Sequence, residues 1–380
     1  MLRETCRVCH QDFYPTPLLV YENMPKSAQF FPVKDELSQE YGSNLSVNQC
    51  RGCGLVQLSN PPVDYYREVI RAVGISNEMR AFRQEQFSDW VNRYNLNHKR
   101  VLEIGCGQGE YLALLNELDI DAYGIEFGEK SVSVCRQMQL NVEKAYIDSV
   151  DSKLSDGPFD AFVMLNFLEH LPDPVSTLLG IAENLKKDGI GLIEVPNFDM
   201  ILRESLFTEF ISDHLFYFTS DTFVSTLNLS GFDVLKCEET WHDYSLSAVV
   251  RKRNTFDLSV FDSHRTELKK SLYSYIEKFP MKSVVVWGAG HQSLAVLSLT
   301  ELADKIKYVV DSAPFKQNKF TPATHIPVVS PDNLTKEPIE AVIVMAASYT
   351  GEVVNIIKER YPNVKEIAIL KGSGLEFAGI

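Results

Sequence analysis

The chain has 380 residues, 45% of them hydrophobic and 23% charged, and it carries a formal net charge of −14. Its length exceeds what one hydrophobic core supports, so we expect two or three ordered domains. The acidic balance would repel a phosphate backbone and disfavours nucleic acid as a partner. The sequence has no basic start followed by an apolar segment, and no run of roughly 18 apolar residues. We therefore expect a cytoplasmic protein without membrane contact, either a monomer or a weak homodimer.

Two C-x-x-C pairs mark the first segment, residues 1–64, which otherwise carries many prolines and turn residues. The pairs are Cys6 with Cys9 and Cys50 with Cys53. Four thiolates on two tight turns supply the tetrahedral shell that zinc prefers. In a reducing compartment such pairs favour a metal over disulfides, and a redox-active pair would need a thioredoxin-like setting that this segment lacks. We predict a zinc-binding module with one structural Zn²⁺.

Apolar residues then recur at helical spacing from Tyr65 to about Leu96 and predict helices. The positions with this spacing include Val69, Ala72, Val73, Met79, Phe82, Phe87, Trp90 and Val91. From residue 100, short apolar runs alternate with helical stretches, which predicts a parallel α/β sheet. The predicted strands are VLEIG, DAYGIE, FDAFVML, GIGLIEVP, GFDVLKCEET and YSLSAVVRK, the last two forming an antiparallel edge.

A polar amphipathic segment near residues 256–278 predicts a connecting helix. The runs SVVVWGAG, KYVVD and AVIVMAAS follow it and restart the alternation of strands and helices. They predict a second, smaller α/β domain of Rossmann-like type. The expected organisation is a module at 1–64, a core with leading helices at 65–255, and a C-terminal domain at 256–380.

The first predicted strand of the core runs into a glycine-rich loop. The loop residues are Gly105, Cys106, Gly107, Gln108 and Gly109. Glycines let the backbone pass close beneath a ligand, although dinucleotide-binding enzymes use a related loop. Glu103 lies two residues before the first glycine, where a carboxylate suits a cation and disfavours a pyrophosphate. Glu126 ends the next strand, where it can accept hydrogen bonds from both hydroxyls of a ribose.

A third feature follows a later strand, where Asn166 and Phe167 lead through Leu168 into Glu169 and His170. Together with the loop and the two acids, this passage resembles the motifs of class I S-adenosylmethionine methyltransferases over roughly residues 100–252. The resemblance implies a Rossmann-like methyltransferase core. It also implies that S-adenosylmethionine lies over the glycines, with its ribose held by Glu126 and with Asn166 and Phe167 in the pocket.

The chain as a whole resembles the deoxysugar C-methyltransferases, which act in nucleotide-sugar pathways. The resemblance rests on CRVC, MPKSAQFFP and CRGCGLVQL at one end and on VVDSAPFKQNKFTPATHIPVVSP at the other. It implies that His214 is the base that removes a proton beside a ketone and that Asp213 assists it by orienting the imidazole or raising its basicity. It also implies that Glu169 and His170 face the pocket, the alternative being that they cap the helix starting near Leu171. It further implies that Tyr65 or Tyr66 contacts the substrate, the alternative being packing against the core. The chain departs from the family at Ile211, where the family has a tyrosine.

The C-terminal domain has its own glycine turn, Gly288-Ala289-Gly290, and Asp311 ends the next predicted strand. This spacing suits a Rossmann NAD site. The family resemblance implies instead that the domain helps to bind the nucleotide half of the substrate, with His291 and Lys316 reaching phosphate. A lysine usual in the family's loop is absent near Gln292 and Ser293.

The leading hypothesis is a methyltransferase acting on a nucleotide-linked sugar, at a carbon beside a ketone. A carbon acceptor needs that ketone to make its C–H acidic, whereas an oxygen or nitrogen acceptor needs only a base. An O- or N-methyltransferase acting on a sugar or another small metabolite is therefore the alternative. An NAD-binding protein and a noncatalytic sugar-nucleotide-binding protein are further candidates, and the intact acids Glu103 and Glu126 argue against the NAD-binding one.

Overall fold

A computed structural model describes most of the chain. The described residues are 2–26, 29, 31–68, 75–372 and 374–378. The chain divides into two compact units, Met1–Asn254 and Thr255–Ile380. Val69, Ala72 and Val73, which contributed to the predicted helices, lie outside the described residues, as do Ser27, Ala28 and Phe30 of the segment MPKSAQFFP. Within the described ranges, every helix is too short or too polar to cross a lipid bilayer.

The first unit combines strands and helices throughout its described residues. Its strands are β1 (Leu19–Met24), β2 (Ser43–Gln49), β3 (Val56–Leu58), β4 (Arg100–Ile104), β5 (Asp121–Glu126), β6 (Val142–Lys144), β7 (Phe159–Leu165), β8 (Leu185–Pro196), β9 (Phe216–Tyr217), β10 (Phe232–Thr240) and β11 (Ser245–Lys252). Its α-helices are α1 (Asn77–Arg93), α2 (Glu110–Leu115), α3 (Glu129–Gln137), α4 (Pro174–Glu183), α5 (Phe198–Glu204) and α6 (Ser220–Leu229). Short 3-10 turns cover Lys34–Glu36, Tyr66–Glu68, Leu168–His170 and Phe207–Glu209.

The larger sheet of this unit has seven strands in the order β10-β11-β8-β7-β4-β5-β6. The five strands from β8 to β6 pair in parallel, whereas β11 pairs antiparallel with both β8 and β10. β4 and β7 are almost wholly buried, as expected for parallel strands covered on both faces. The order reverses between β4 and β7, which opens a crevice at their carboxyl ends. This is the Rossmann-like class I methyltransferase fold that the sequence predicted.

The smaller sheet has four strands in the order β1-β2-β3-β9, all antiparallel. β9 comes from far along the chain, with Val56 opposite Tyr217 and Gln57 opposite Phe216. Buried apolar residues of the cysteine-rich segment share one hydrophobic cluster with β9 and with the core sheet. Arg7 also donates a hydrogen bond to the carbonyl of Pro172 over 3.3 Å. The segment is therefore packed onto the methyltransferase core, and a domain boundary at residue 64 stays a prediction.

Local sequence accounts for how α1 and α4 begin and where α1 is held. Ser76 caps α1 by accepting a hydrogen bond from the backbone of Met79, and Asp173 caps α4 before a proline. Arg83 of α1 forms a fully buried ion pair with Glu194 of β8, with 2.6 Å between Nη1 and Oε2. A buried charge of this kind requires its partner, so the pair fixes α1 to the sheet.

The second unit is a smaller α/β domain. Its described strands are β12 (Val284–Trp287), β13 (Val309–Val310), β14 (Lys319–Phe320), β15 (Pro327–Val329), β16 (Ala341–Val344), β17 (Glu366–Lys371) and β18 (Gly374–Ala378). Its α-helices are α7 (Ser259–Ile276), α8 (His291–Leu299) and α9 (Thr350–Arg360), with 3-10 turns at Pro331–Thr335 and Ala347–Tyr349. The sheet order is β14-β15-β13-β12-β16-β17-β18, with antiparallel strands at both edges.

Candidate active site

The glycine-rich loop leaves β4 at the crevice and turns sharply. Gly105, Gly107 and Gly109 have φ values of 66°, 56° and 87°, in the left-handed region that favours glycine. A Cβ on Gly109 would lie 2.6 Å from Leu140, whereas a Cβ on Gly107 would meet nothing within 4 Å. One glycine is thus required by close packing. Gly107 instead leaves its backbone open toward the crevice, where a ligand can approach it.

Two buried carboxyl groups flank this loop. Glu103 is 3% exposed within β4, and Glu126 is 7% exposed at the end of β5. The side chain of Glu126 accepts hydrogen bonds from the backbone N–H groups of Gly107 (3.1 Å) and Gly128 (2.8 Å). Burial raises the pKa of Glu126, and these hydrogen bonds oppose the rise. Both acids therefore lie beside the loop, and their contact with a cofactor stays a prediction.

A pocket beside Glu126 has about 270 Å³ of empty space, which includes open solvent. It is lined by Arg67, Ile104, Gly105, Ile125, Glu126, Phe127, Ala145, Tyr146, Ile147 and Phe167. The guanidinium of Arg67 lies 4.9 Å from the ring centre of Tyr146 and 5.6 Å from that of Phe127. Aromatic and cationic groups around a carboxylate suit a flat base with a ribose.

Three residues of this pocket were not predicted from the sequence: Arg67, Phe127 and Tyr146. Phe127 could have been found, because it directly follows the acid that ends β5. Tyr146 follows β6, a strand of three residues too short to stand out in the sequence. Arg67 had no signal of its own, since its segment was predicted only as part of a helical stretch.

A second cluster lies past the end of β7. The backbone carbonyl of Glu169 accepts a hydrogen bond from the N–H of Leu215 over 2.7 Å, which joins the Leu168–His170 turn to the 213–215 segment. Nδ1 of His170 lies 2.8 Å from the carbonyl oxygen of Asp213. The rings of His170 and His214 meet edge to face with centroids 4.8 Å apart. Polar atoms of Glu169, His170 and His214 all lie within 4.8 Å of one another.

The two predicted tyrosines lie at different sites, one in the histidine cluster and one beside the pocket at Glu126. The Tyr65 hydroxyl donates to the carboxylate of Asp213 over 2.6 Å, so Tyr65 joins the histidine cluster. Tyr66 contacts the ring of Tyr146 at a centroid distance of 6.4 Å, which is next to the cavity.

Glu169 and His170 do not cap the following helix, because Asp173 does so. Asn166 is exposed and leads into the turn with a φ of 49°.

Burial dominates the electrostatics of the histidine cluster. The pKa of His214 is lowered to about 3, first by burial and then by the neighbouring His170. The pKa of His170 is lowered by burial, and that of Glu169 is raised by burial to about 8. Desolvation of the imidazole decides the direction of the His214 pKa shift, and an effect of Asp213 on its basicity stays a prediction. Asp213 orients His170 through its carbonyl and holds Tyr65 through its carboxylate.

The four predicted zinc ligands converge at one point. The Sγ atoms of Cys6 and Cys53 are 3.7 Å apart, and those of Cys9 and Cys50 are 3.3 Å apart. Zn–S bonds of about 2.3 Å in a tetrahedron put neighbouring sulfurs about 3.8 Å apart, so the donor set fits zinc. Backbone N–H groups of Val8 and Gly52 point at the sulfurs of Cys6 and Cys50, both over 3.3 Å. These N–H groups would stabilise thiolate charge.

The predicted residues of the second unit are arranged differently from an NAD site. Asp311 accepts hydrogen bonds from the backbone N–H groups of Ala289 and Ala313, and it forms an ion pair with Lys316 at 2.9 Å. Its carboxylate is therefore engaged within the glycine turn, and Lys316 is engaged with it. His291 is exposed as the first residue of α8.

Comparisons with known proteins agree with the division of the chain into two compact units. A family model described as a methyltransferase domain matches residues 79–236. One described as a C-methyltransferase C-terminal domain matches residues 250–364. The C-methyltransferase NovU of Streptomyces niveus is 21% identical over 399 aligned positions, covering 95% of this chain and 93% of the relative.

A curated relative and two solved structures are similar to parts of the chain. A ubiquinone biosynthesis O-methyltransferase of Pseudomonas aeruginosa is 31% identical over 107 residues, which cover 27% of this chain and 46% of the relative. A solved methyltransferase from Clostridium acetobutylicum has a TM-score of 0.39 at 12% identity, with 50% of this chain and 96% of that chain covered. PH0226 from Pyrococcus horikoshii has a TM-score of 0.40 at 15% identity, with 50% and 99% covered. The fold assignment rests on the strand order. The two domain models and the full-length similarity support a methyltransferase that uses S-adenosylmethionine.

Proposed function

We propose that the protein transfers a methyl group from S-adenosylmethionine to a carbon beside a keto group of a nucleotide-linked sugar, with His214 as the general base. The observation that carries this proposal is the convergence of Tyr65, Asp213, His214 and His170 on one another beyond the end of β7. These residues come from three distant segments of the chain. They are the positions that the resemblance to deoxysugar C-methyltransferases implies for acceptor chemistry.

The cofactor is assigned to the crevice between β4 and β7. When bound, S-adenosylmethionine supplies a methyl group activated by a positively charged sulfur. In this proposal Gly105, Cys106, Gly107 and Gly109 cradle its amino-acid end, Glu103 adds negative charge nearby, and Glu126 accepts from the ribose hydroxyls. Asn166 and Phe167 close the pocket, and the aromatic cavity around Phe127 and Tyr146 takes the adenine.

Replacing Glu126 with alanine is expected to weaken S-adenosylhomocysteine binding by about 1 to 3 kcal/mol, because a charged acceptor of the ribose hydroxyls is removed. Calorimetry on the purified protein measures this change. Glu129→Ala is the matched control, since Glu129 lies three residues further on, pairs with Lys144 and is exposed. Unchanged affinity in Glu126→Ala would refute the ribose assignment, and NAD binding more tightly than S-adenosylhomocysteine would favour the NAD-binding candidate.

For the acceptor, proximity and proton transfer are the chemical tasks. His214 is neutral at physiological pH because burial lowers its pKa to about 3, and a neutral imidazole has a lone pair that can take a proton. His170 and Asp213 hold the surrounding groups in place through the 2.8 Å contact between Nδ1 and the carbonyl. Tyr65 is hydrogen-bonded to Asp213 in the same cluster and is assigned a contact with the substrate. Tyr66 is assigned a position beside the cofactor.

The nucleotide-sugar class rests on the family resemblance and on the C-methyltransferase C-terminal domain matched at residues 250–364. His291 is exposed at the start of α8 and is assigned a phosphate contact. Lys316 can take the same role only if phosphate competes with Asp311 for its ammonium group. The Cys6, Cys9, Cys50 and Cys53 site is assigned one structural Zn²⁺.

The O-methyltransferase alternative is favoured by one specific observation, the 31% identity to a ubiquinone biosynthesis O-methyltransferase across part of the core. Incubation with labelled S-adenosylmethionine and matched pairs of keto and hydroxy nucleotide sugars separates the two functions. Carbon methylation of the keto compounds alone supports the proposal. Methylation at oxygen or nitrogen, or of the hydroxy compounds equally well, would refute it.

A further inference from the structure

Glu169 is a buried acid whose carboxyl group is not fully hydrogen-bonded. Its side chain is 1% exposed in the turn that follows β7, within the histidine cluster. Its Oε2 atom has no hydrogen-bond partner among the described residues. A buried polar atom left without a partner costs free energy, so the Oε2 atom of Glu169 calls for a ligand or a proton.

The position of the proton on His170 follows from its neighbours. Nδ1 lies 2.8 Å from the carbonyl oxygen of Asp213, and a carbonyl can only accept, so Nδ1 carries a hydrogen. Nε2 lies 3.7 Å from Oε1 of Glu169. If His170 is neutral, Nε2 presents a lone pair toward the carboxyl group of Glu169.

A carboxylate 3.7 Å from a lone pair in a buried site is repelled by it, and protonation of the carboxyl group removes that negative charge. Burial raises the pKa of Glu169 to about 8 and lowers that of His170, so the proton belongs to the carboxyl group. The other titratable groups nearby are His214, Asp213 with Tyr65, and Tyr244 with Glu209. Tyr65 donates to Asp213 and Tyr244 donates to Glu209, so both hydroxyl hydrogens are directed to other acids.

We propose that Glu169 is a second catalytic residue, a neutral carboxylic acid that donates a hydrogen bond to the keto oxygen of the acceptor while His214 removes the adjacent proton. This inference rests on the proposed C-methylation. A histidine that burial has made a weak base needs an acceptor whose enolate is stabilised, and a buried acid beside it meets that need.

His214 takes the proton from the carbon, and the C–H electrons form the enolate C=C while the C=O electrons move onto oxygen, which Glu169 stabilises by its O–H. The carbon then forms a bond to the methyl group as the S–CH₃ electrons return to sulfur. The ketone is restored, Glu169 keeps its proton, and the proton on His214 leaves to solvent.

Glu169→Ala is expected to lower kcat/KM by about 10²- to 10³-fold, as when one oxyanion donor is removed. Glu169→Gln is nearly the same size and keeps an N–H donor, so it should lose roughly tenfold and no more than the alanine variant. In the wild type kcat/KM should fall as pH rises through about 8, because Glu169 loses its proton there. Glu169→Gln should lack this alkaline loss, because an amide does not titrate.

A measurement without substrate keeps this inference separate from the proposed function. Infrared difference spectra of the full chain at neutral pH should show a protonated carboxyl band that is absent in Glu169→Gln. The control is Glu143→Gln in β6, whose carboxylate accepts two hydrogen bonds from Ser155 and which should keep the band. Lack of the band in the wild type, or an alkaline loss that persists in Glu169→Gln, would overturn the inference. If the band is present but wild type fails to methylate keto sugars, the proposed function and the role of Glu169 in it would be overturned, while the protonation of Glu169 would stand.

Discussion

His214→Gln is expected to abolish exchange of the acceptor's α-proton with deuterated solvent and to lower turnover by roughly 10²- to 10⁴-fold. Enolisation precedes attack on the methyl group, so wild type should exchange this proton even with S-adenosylhomocysteine bound. NMR of the sugar in D₂O measures the exchange directly. Cofactor affinity should be unchanged, because the glycine loop and Glu126 do not depend on this imidazole.

The control for this variant is His98→Gln, since His98 lies on the surface and pairs with Asp119. Its exchange rate should equal that of wild type. Because the pKa of His214 is lowered to about 3, protonation of this residue should not reduce activity between pH 5 and 8. Near-normal turnover in His214→Gln would make His214 structural. Turnover without any exchange in wild type would instead favour an oxygen or nitrogen acceptor.

Cys50→Ser is expected to remove the metal and to leave little soluble protein. Structural zinc sites contribute about 10 to 16 kcal/mol of apparent binding free energy, which becomes folding free energy when the site forms only in the folded chain. The wild type should contain about one zinc per chain by elemental analysis. Cys50 is 1% exposed inside the hydrophobic cluster shared with the core, so the damage should spread beyond residues 1–64.

Cys237→Ser serves as the comparison, because Cys237 is a free thiol outside the four-cysteine cluster. That variant should keep its zinc and its melting temperature within a few degrees. Wild-type protein without bound metal, with all four thiols freely reactive, would refute the zinc assignment. A stable, soluble Cys50→Ser protein that still binds S-adenosylhomocysteine would show that the site adds little to folding.

The methyltransferase sheet could be predicted because its strands are short apolar runs separated by helices. All six strands predicted for this domain are present, and the last two form the antiparallel edge. β6 was missed, since its three residues are only half-buried or exposed and Val142 alone among them is apolar. The glycine loop was found because left-handed backbone at Gly105, Gly107 and Gly109 restricts the residue type.

The histidine cluster shows where sequence reasoning stops. The resemblance singled out His214, Asp213 and Tyr65, but no spacing indicates that Tyr65 donates to Asp213 or that the Asp213 carbonyl fixes His170. The lowered pKa of His214 could not be predicted from the sequence either, because its burial depends on elements from elsewhere in the chain. In the second unit, the G-x-G turn and Asp311 resembled an NAD site, and only the structure shows that Asp311 is engaged by Ala289 and Lys316.

The pairing of β3 with β9 restricts how this protein can be recombined with its relatives. β9 begins two residues after His214, and the N–H of Leu58 donates to the carbonyl of Leu215 over 2.9 Å. A chimaera that takes its first 64 residues from one parent and its catalytic core from another would pair β3 of one protein with β9 of the other. The side chains of these two strands would not be complementary. Such hybrids should exchange residues 1–64 and 211–218 together. Altering acceptor preference by swapping segments is therefore a two-segment design problem.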